Sequence, residues 1–335
     1  MMETTANASD TNYDYSEFNK PCEKHILFEF GALFTAVLNS CIFVAALIGN
    51  TLVLWIVAKY ENLSSITNIF IVNLSITDLV FSSVLPFWAA YHWFGWIYGE
   101  PLCKVMSAIF SVGFYSGIIS LTSMTIYRYV VVVHPHSALR TRKPWKGVVV
   151  CLIIWLTSLL MAIPAVIFSE VHPDNDGFLK CDYADATWEV FSTYQQNLLF
   201  LISFAIITFC YVCILRTLLP SRPQRNQKTV KLILTIVVVF FLSWAPYNIL
   251  MFLKSIDHLQ TDCKISGHLD YAMYICEKVA FSHCCLNPVL YALVGIKFRR
   301  HLKQMFYRPC IFKEQSSNMR VNSQDNLHHE DFSLY

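Results

Sequence analysis

Five stretches of this chain run without one charged residue for longer than a lipid bilayer is thick: 30–58, 105–127, 147–169, 190–215 and 232–253. About 20 mostly apolar residues suffice for a crossing helix. Two further stretches are nearly as apolar. Residues 64–91 carry only Asp78 within them, and 268–294 carry Asp270, Glu277 and Lys278 towards one end. Backbone groups inside hydrocarbon must be satisfied within the segment, so each run is expected to be a helix. The fold class is therefore all-α, a bundle of seven membrane helices. Overall composition agrees: 14% of residues are charged, against roughly 25% in soluble domains.

Orientation follows from the basic residues. With the N-terminus outside, 18 of the 25 Lys and Arg fall on the cytoplasmic side and seven outside, as the positive-inside bias requires. The acids are distributed the other way. Seventeen of the 23 lie outside and five inside, with Asp78 in the membrane, so the outer face is net −10 and the inner face +13. Such a field draws basic partners to the outside and acidic lipid headgroups to the inside, although soluble loops that are merely acidic would read the same way. The first 29 residues are polar and acidic and contain no apolar h-region, so no cleavable signal peptide is expected.

Within the last run, the string His283-Cys284-Cys285-Leu286-Asn287-Pro288-Val289-Leu290-Tyr291 precedes an abrupt change to Gly295-Ile296-Lys297-Phe298-Arg299-Arg300. A proline inside a membrane helix frees a carbonyl that another group must satisfy. Asn287 supplies a polar group at that break, and Tyr291 lies one turn on along the same face. An ordinary proline kink near a membrane exit is the plainer reading. The whole string, however, resembles the seventh helix of rhodopsin-like G-protein-coupled receptors, with flanks like those of the chemokine receptors. Asn50, Asp78, Trp244-Ala245-Pro246, Asn287-Pro288 and Tyr291 together resemble that family's activation core. Strings such as Tyr194-Gln195-Gln196-Asn197-Leu198 and Ala280-Phe281-Ser282-His283-Cys284-Cys285 are similar to the lymphotactin (XC) class within it.

The chain also departs from the pattern. The usual Asp-Arg-Tyr reads Tyr127-Arg128-Tyr129, the fifth helix has Ser203 in place of its proline, and Val84 replaces the Thr of Thr-x-Pro. Asn39 stands for a frequent Tyr and Gly113 for a frequent Asn. Gly113 and Gly117 offer no side-chain oxygen beside Asp78, which argues against sodium there. The missing acid before Arg128 is shared by the XC class.

Twelve cysteines sort by environment. Seven lie inside helices as small apolar packers. Cys210-Tyr211-Val212-Cys213 and His283-Cys284-Cys285 have metal-like composition but no compensating charge, so no metal is expected. Cys22, Cys103, Cys181 and Cys263 fall outside, where two disulfides in any of three pairings are allowed. The resemblance implies Cys103–Cys181 and Cys22–Cys263. Cys310, after the basic segment, is a palmitoylation candidate or a free tail thiol. Asn7-Ala8-Ser9 is a glycosylation sequon, and Asp176-Gly177 is a hairpin turn signal in the second outer loop.

The resemblance implies further roles. Tyr13 and Tyr15, set among acids, become sulfation candidates that engage a ligand. Glu277, eleven residues before Pro288, matches an acid that meets the ligand's N-terminus. Trp88 matches an aromatic that lines the pocket, and by helical phase Phe110, Tyr115, Tyr247 and Trp244 are expected to face the same cavity. Asp78, Arg128, Tyr211, Trp244, Pro246, Asn287, Pro288 and Tyr291 are expected to form the switch. Phe110 stands where an aminergic receptor would need an acid, and Phe281 where a visual pigment would need its lysine, so both chemistries are excluded.

The expected organisation is an outer tail 1–29, a bundle 30–294, an amphipathic helix 295–306 and a cytoplasmic tail 307–335. The implied function is that of a plasma-membrane receptor for a secreted basic chemokine of the XC class. It would act through an inhibitory-class heterotrimeric G protein to calcium release and chemotaxis, with arrestin as a further partner. An atypical scavenging receptor is the alternative. A transporter or channel is disfavoured because no inverted repeat is present. No motif points to an enzyme, a cofactor or nucleic-acid binding.

Overall fold

A computed structural model describes residues 25–136, 143–173, 177–218, 224–256, 263–294 and 298–302. Helix α1, His25–Tyr60, starts within the stretch expected as tail. The second crossing is made of α2, Ile66–Ser82, and α3, Leu85–Phe94. It breaks between them because Pro86 has no N–H to continue the ladder. The turn is closed by the Ser83 N–H on the Leu79 carbonyl (3.1 Å) and by the Ser83 hydroxyl on the Val80 carbonyl (2.7 Å). Helix α4, Gly99–Val133, is the central element. The fourth crossing again divides at a proline, Pro164, into α5, Pro144–Met161, and α6, Ile163–Phe168.

The hairpin expected in the second outer loop is present. Strands β1, Ser169–Pro173, and β2, Leu179–Tyr183, pair antiparallel from Ser169↔Tyr183 to Pro173↔Leu179. Gly177 has a φ of 80°, a left-handed turn conformation that glycine adopts without strain. Asp176, its partner in the turn signal, lies outside the described residues. Helices α7, Ala186–Leu218, and α8, Gln224–Lys254, form the fifth and sixth crossings, with Pro246 inside α8.

The seventh crossing, expected over 268–294, is made of α9, Cys263–Phe281, and α10, His283–Val294, meeting at Ser282. Two N–H groups, of Cys285 and Leu286, converge on the Ser282 carbonyl (both 3.1 Å), and the Ser282 hydroxyl turns back to the Val279 carbonyl (2.7 Å). Local side-chain bonds of this kind compete with the helical ladder. Among the described residues, six crossings are long and apolar enough to span a membrane as they stand; α9, with its charged outer end, supplies the seventh only together with α10.

Packing follows from which faces are apolar. Helix α5 exposes Leu152, Ile153, Leu156, Leu159 and Leu160, a surface suited to lipid rather than water. Inward, the Asn73 amide donates to the Ser120 hydroxyl (2.7 Å) and accepts from the Trp155 indole (2.9 Å), which ties the second, third and fourth crossings. Gly113 lets α2 and α4 meet closely: a Cβ there would lie 2.9 Å from Phe81 Cβ and 3.0 Å from Phe81 Cα. The Asn expected there in relatives would not fit this packing. Of the amphipathic eighth helix, 298–302 are described and helical. Phe298 lies near Tyr291 (6.3 Å between rings), and His301 stacks on Tyr60 (5.0 Å) with Nε2 3.3 Å from Glu61 Oε1.

Candidate functional site

The inner half of the bundle is built on the carbonyl that Pro288 frees. Four residues before Pro288 is Cys284, whose carbonyl has no N–H to meet within the helix. The Asn50 amide donates to that carbonyl at 2.9 Å and to its own Ala46 carbonyl at 3.0 Å. Gly49, next to Asn50, makes the approach possible, since a Cβ there would sit 2.9 Å from the Pro288 ring. The Asn287 amide in turn donates to Asp78 Oδ2 at 2.8 Å, and both residues are buried. The first, second and seventh crossings are thereby joined by two hydrogen bonds, one from each amide. His283, for which no role was expected, points at the same carboxylate, with Nε2 3.8 Å from Asp78 Oδ1.

Arg128 reaches a partner the sequence did not suggest. Tyr127, in place of the usual acid, cannot form an ion pair with the guanidinium. Its Nη2 instead donates to the Thr67 hydroxyl of α2, and its Cζ lies 5.9 Å from the Tyr127 ring centre. Tyr127 also packs tilted on Phe70 (6.3 Å). Tyr211 and Tyr291 are buried nearby in the core.

Above this network stands a column of aromatic rings. Trp244 is fully enclosed and contacts Phe114 (4.6 Å), Tyr247 (5.6 Å), His283 (5.3 Å), Phe81 (6.0 Å) and Phe281 (6.4 Å). Phe81 is the residue that sequence reasoning missed: its ring also meets Phe110, Phe281 and His283. Edge-to-face pairs of this kind each add about 0.5–1.5 kcal/mol beyond the area they bury. Tyr115 lies beside Phe114 (5.5 Å). Phe110, Tyr115, Tyr247 and Trp244 are thus gathered into one cluster. Trp88 is not in it. It sits with Tyr91 (5.5 Å) and Trp96 (6.1 Å) in a second cluster around Cys103 and Cys181, and Phe110 bridges the two.

The outer rim is fastened by the expected Cys103–Cys181 disulfide (Cα–Cα 5.6 Å), which holds β2 to the top of α4. The Trp96 N–H donates to the Leu179 carbonyl (2.7 Å), adding the first outer loop to the same cap. Tyr183 on β2 donates to the Ser192 hydroxyl (2.8 Å), and burial pushes its phenol above the ordinary range. Lys254 and Asp270 pair across α8 and α9 at 2.9 Å. Glu277 has a side chain 25% exposed, but it is not alone: Lys278 Nζ lies 2.8 Å from its Oε1. Cys22, Tyr13, Tyr15, Asn7 and Cys310 lie outside the described residues, as does the side chain of Cys263.

Residues 49–291 match the family described as 7 transmembrane receptor (rhodopsin family). The chain is 48% identical to the human Chemokine XC receptor 1, over 91% of its own length and 90% of that protein's. It is 45% identical to the mouse Chemokine XC receptor 1, covering 93% and 95% respectively. Human C-C chemokine receptor type 4 is 40% identical over 88% of this chain and 83% of that receptor. These relatives are receptors and not enzymes. The divided seventh crossing, the Asn50 and Asn287 bonds around Pro288 and the disulfide-held hairpin are thus features of a multi-pass plasma-membrane protein that belongs to the chemokine receptors of the rhodopsin family.

Proposed function

We propose that this receptor binds a secreted, basic chemokine of the XC class and signals through an inhibitory-class heterotrimeric G protein to calcium mobilisation and chemotaxis. The observation that carries the reading is the continuity of the site. The outer acid Glu277 pairs with Lys278, whose ammonium lies over Phe281, and touching rings lead from Phe110 and Phe281 through Phe81, Trp244 and His283 to the Asp78 carboxylate that bonds Asn287. A ligand wedged at the top can shift the equilibrium at the bottom if it prefers one arrangement of that column. The similarity to receptors named for XC chemokines supports the ligand class.

In this reading the acidic tail 1–29, with Tyr13 and Tyr15 sulfated and Asn7 glycosylated, captures the chemokine. A Cys22–Cys263 bridge tethers that tail to the bundle 30–294. Trp88, Phe110, Tyr115, Tyr247 and Glu277 receive the chemokine's N-terminus. Arg128, Tyr211 and Tyr291 open the inner face to the G protein. The basic helix 295–306 lies on acidic lipid, with Cys310 as its acyl anchor, and the tail 307–335 serves arrestin. The second reading, a scavenging receptor with weak coupling, is favoured by one observation: Arg128 has no acid before it and donates to Thr67.

Calcium release and inhibition of cAMP, measured in cells against a chemokine panel, distinguish the two. The proposal expects an XC-class chemokine to evoke both responses, with loss on blocking the inhibitory G protein. Internalisation of that chemokine without either response would establish scavenging instead.

A further inference from the structure

We propose that Lys278 is a built-in counter-ion that occupies the Glu277 carboxylate, so that a ligand's cationic terminus has to displace it. For the identity of the displacing ligand the inference rests on the chemokine reading; the pair itself does not. Successive residues on a helix point about 100° apart and do not ordinarily face each other. Lys278 nevertheless turns its long stem back along α9 and places Nζ 2.8 Å from Glu277 Oε1. The lysine is the deeper partner, its side chain 3% exposed against 25% for the glutamate. Among the described residues, Glu277 is its ion-pair partner, and its other contact is the face of Phe281, 5.3 Å from Nζ.

The asymmetry decides the behaviour. A buried ammonium without a partner is costly, so the carboxylate is committed to Lys278. The glutamate is the more exposed of the two, so an incoming cation meets an acid already neutralised. A small amine gains little there. A polypeptide terminus that also fills the aromatic pocket can make the exchange. Phe281, which Lys278 covers, is packed on Phe81, Phe110 and Trp244. Displacing the ammonium therefore alters the contact at the head of the ring column, and ion exchange becomes the first movement of activation. Lys278 in this account sets ligand selectivity and threshold, whereas Glu277 makes the contact.

A four-protein cycle tests the pair without any ligand: wild type, Glu277→Gln, Lys278→Met and the double variant, compared by thermal unfolding in detergent. Glu277→Gln is expected to lower Tm by several degrees because it strands a buried ammonium, and adding Lys278→Met is expected to recover most of the loss. Additive effects would overturn the pair. G-protein turnover driven by lymphotactin tests the displacement. Lys278→Met is expected to raise potency by about tenfold, the scale of one charge-assisted hydrogen bond, and the double variant is expected to lose that gain. Reduced potency in Lys278→Met would show that Lys278 contacts the ligand and would overturn the proposal. Thermal coupling in a receptor that answers no chemokine would support the pair and overturn the ligand reading, so the two failures are distinct.

Discussion

Helices α9 and α10 belong to one membrane crossing, yet they meet their neighbours through different chemistry. The outer helix α9 presents rings and ion pairs: Phe281 against Phe81 and Phe110, Asp270 with Lys254 of α8, Glu277 with Lys278. The inner helix α10 presents amide hydrogen bonds to it from other crossings, or from it to them: Asn50 to the Cys284 carbonyl, Asn287 to Asp78. Ring contacts tolerate sliding and rotation because dispersion is weakly directional. Amide bonds between buried groups have one good geometry and a high cost when broken. The outer half is thus built to yield to different occupants, and the inner half to rest in discrete arrangements. The break at Ser282 lies between them.

Removing the bond that defines the inner half should have the largest effect. Asn50→Ala leaves the Cys284 carbonyl buried and unpaired, a loss of about 1–3 kcal/mol. The expected outcome is a Tm several degrees lower in detergent and loss of most signalling at matched surface expression. An equal loss from a ring truncation such as Phe110→Leu would erase the contrast between the two halves.

At the outer half, Glu277→Gln should retain much of the chemokine binding while lowering maximal signalling, because docking relies on the charged exterior and activation on the buried charge. Binding isotherms and dose–response curves on the same membranes measure both. Unchanged signalling would make Glu277 a structural group only.

A smaller effect is expected at the inner surface. Tyr127→Asp offers Arg128 an ionic partner in competition with the Thr67 hydroxyl. Holding the guanidinium by about 1–3 kcal/mol more in the resting form would lower basal G-protein turnover several-fold, with chemokine binding intact. Basal turnover that stays level or rises would remove the missing acid from the account. Smallest of all is the expected effect of replacing both Tyr13 and Tyr15 with Phe. Affinity should fall modestly, and raised salt should weaken the wild type more than the variant. Identical salt slopes would place capture elsewhere.

The elements that the sequence made legible are those dictated by local chemistry. Charge-free runs marked the crossings, the Asp176-Gly177 turn signal marked the hairpin, and the Asn-Pro pair marked a carbonyl in need of a donor. What stayed hidden depends on distances between remote residues or on a pairing of immediate neighbours along a helix. Thr67 and Arg128 are 61 positions apart, and nothing in either neighbourhood announces the bond. Lys278 is visible as a charge in the last run, but its pairing with Glu277 is not, because adjacent helical residues seldom pair. The resemblance names Trp88 as a pocket residue, but its ring neighbours Tyr91 and Trp96 depend on the turn at Pro86, which spacing alone does not give. Nothing in its own neighbourhood singles out Phe81; the absence of a Cβ at Gly113 lets it sit at the centre of the rings.

The most direct measurement is purified inhibitory-class G-protein turnover beside equilibrium binding of lymphotactin, on wild-type and Asn287→Ala receptor in lipid nanodiscs. Asn287→Ala removes the amide that bonds Asp78 and leaves the outer half untouched. The account requires saturable binding to both proteins, with chemokine-stimulated turnover in the wild type and little in the variant. Stimulated turnover that survives in the variant, or wild-type binding that evokes no turnover, would contradict it.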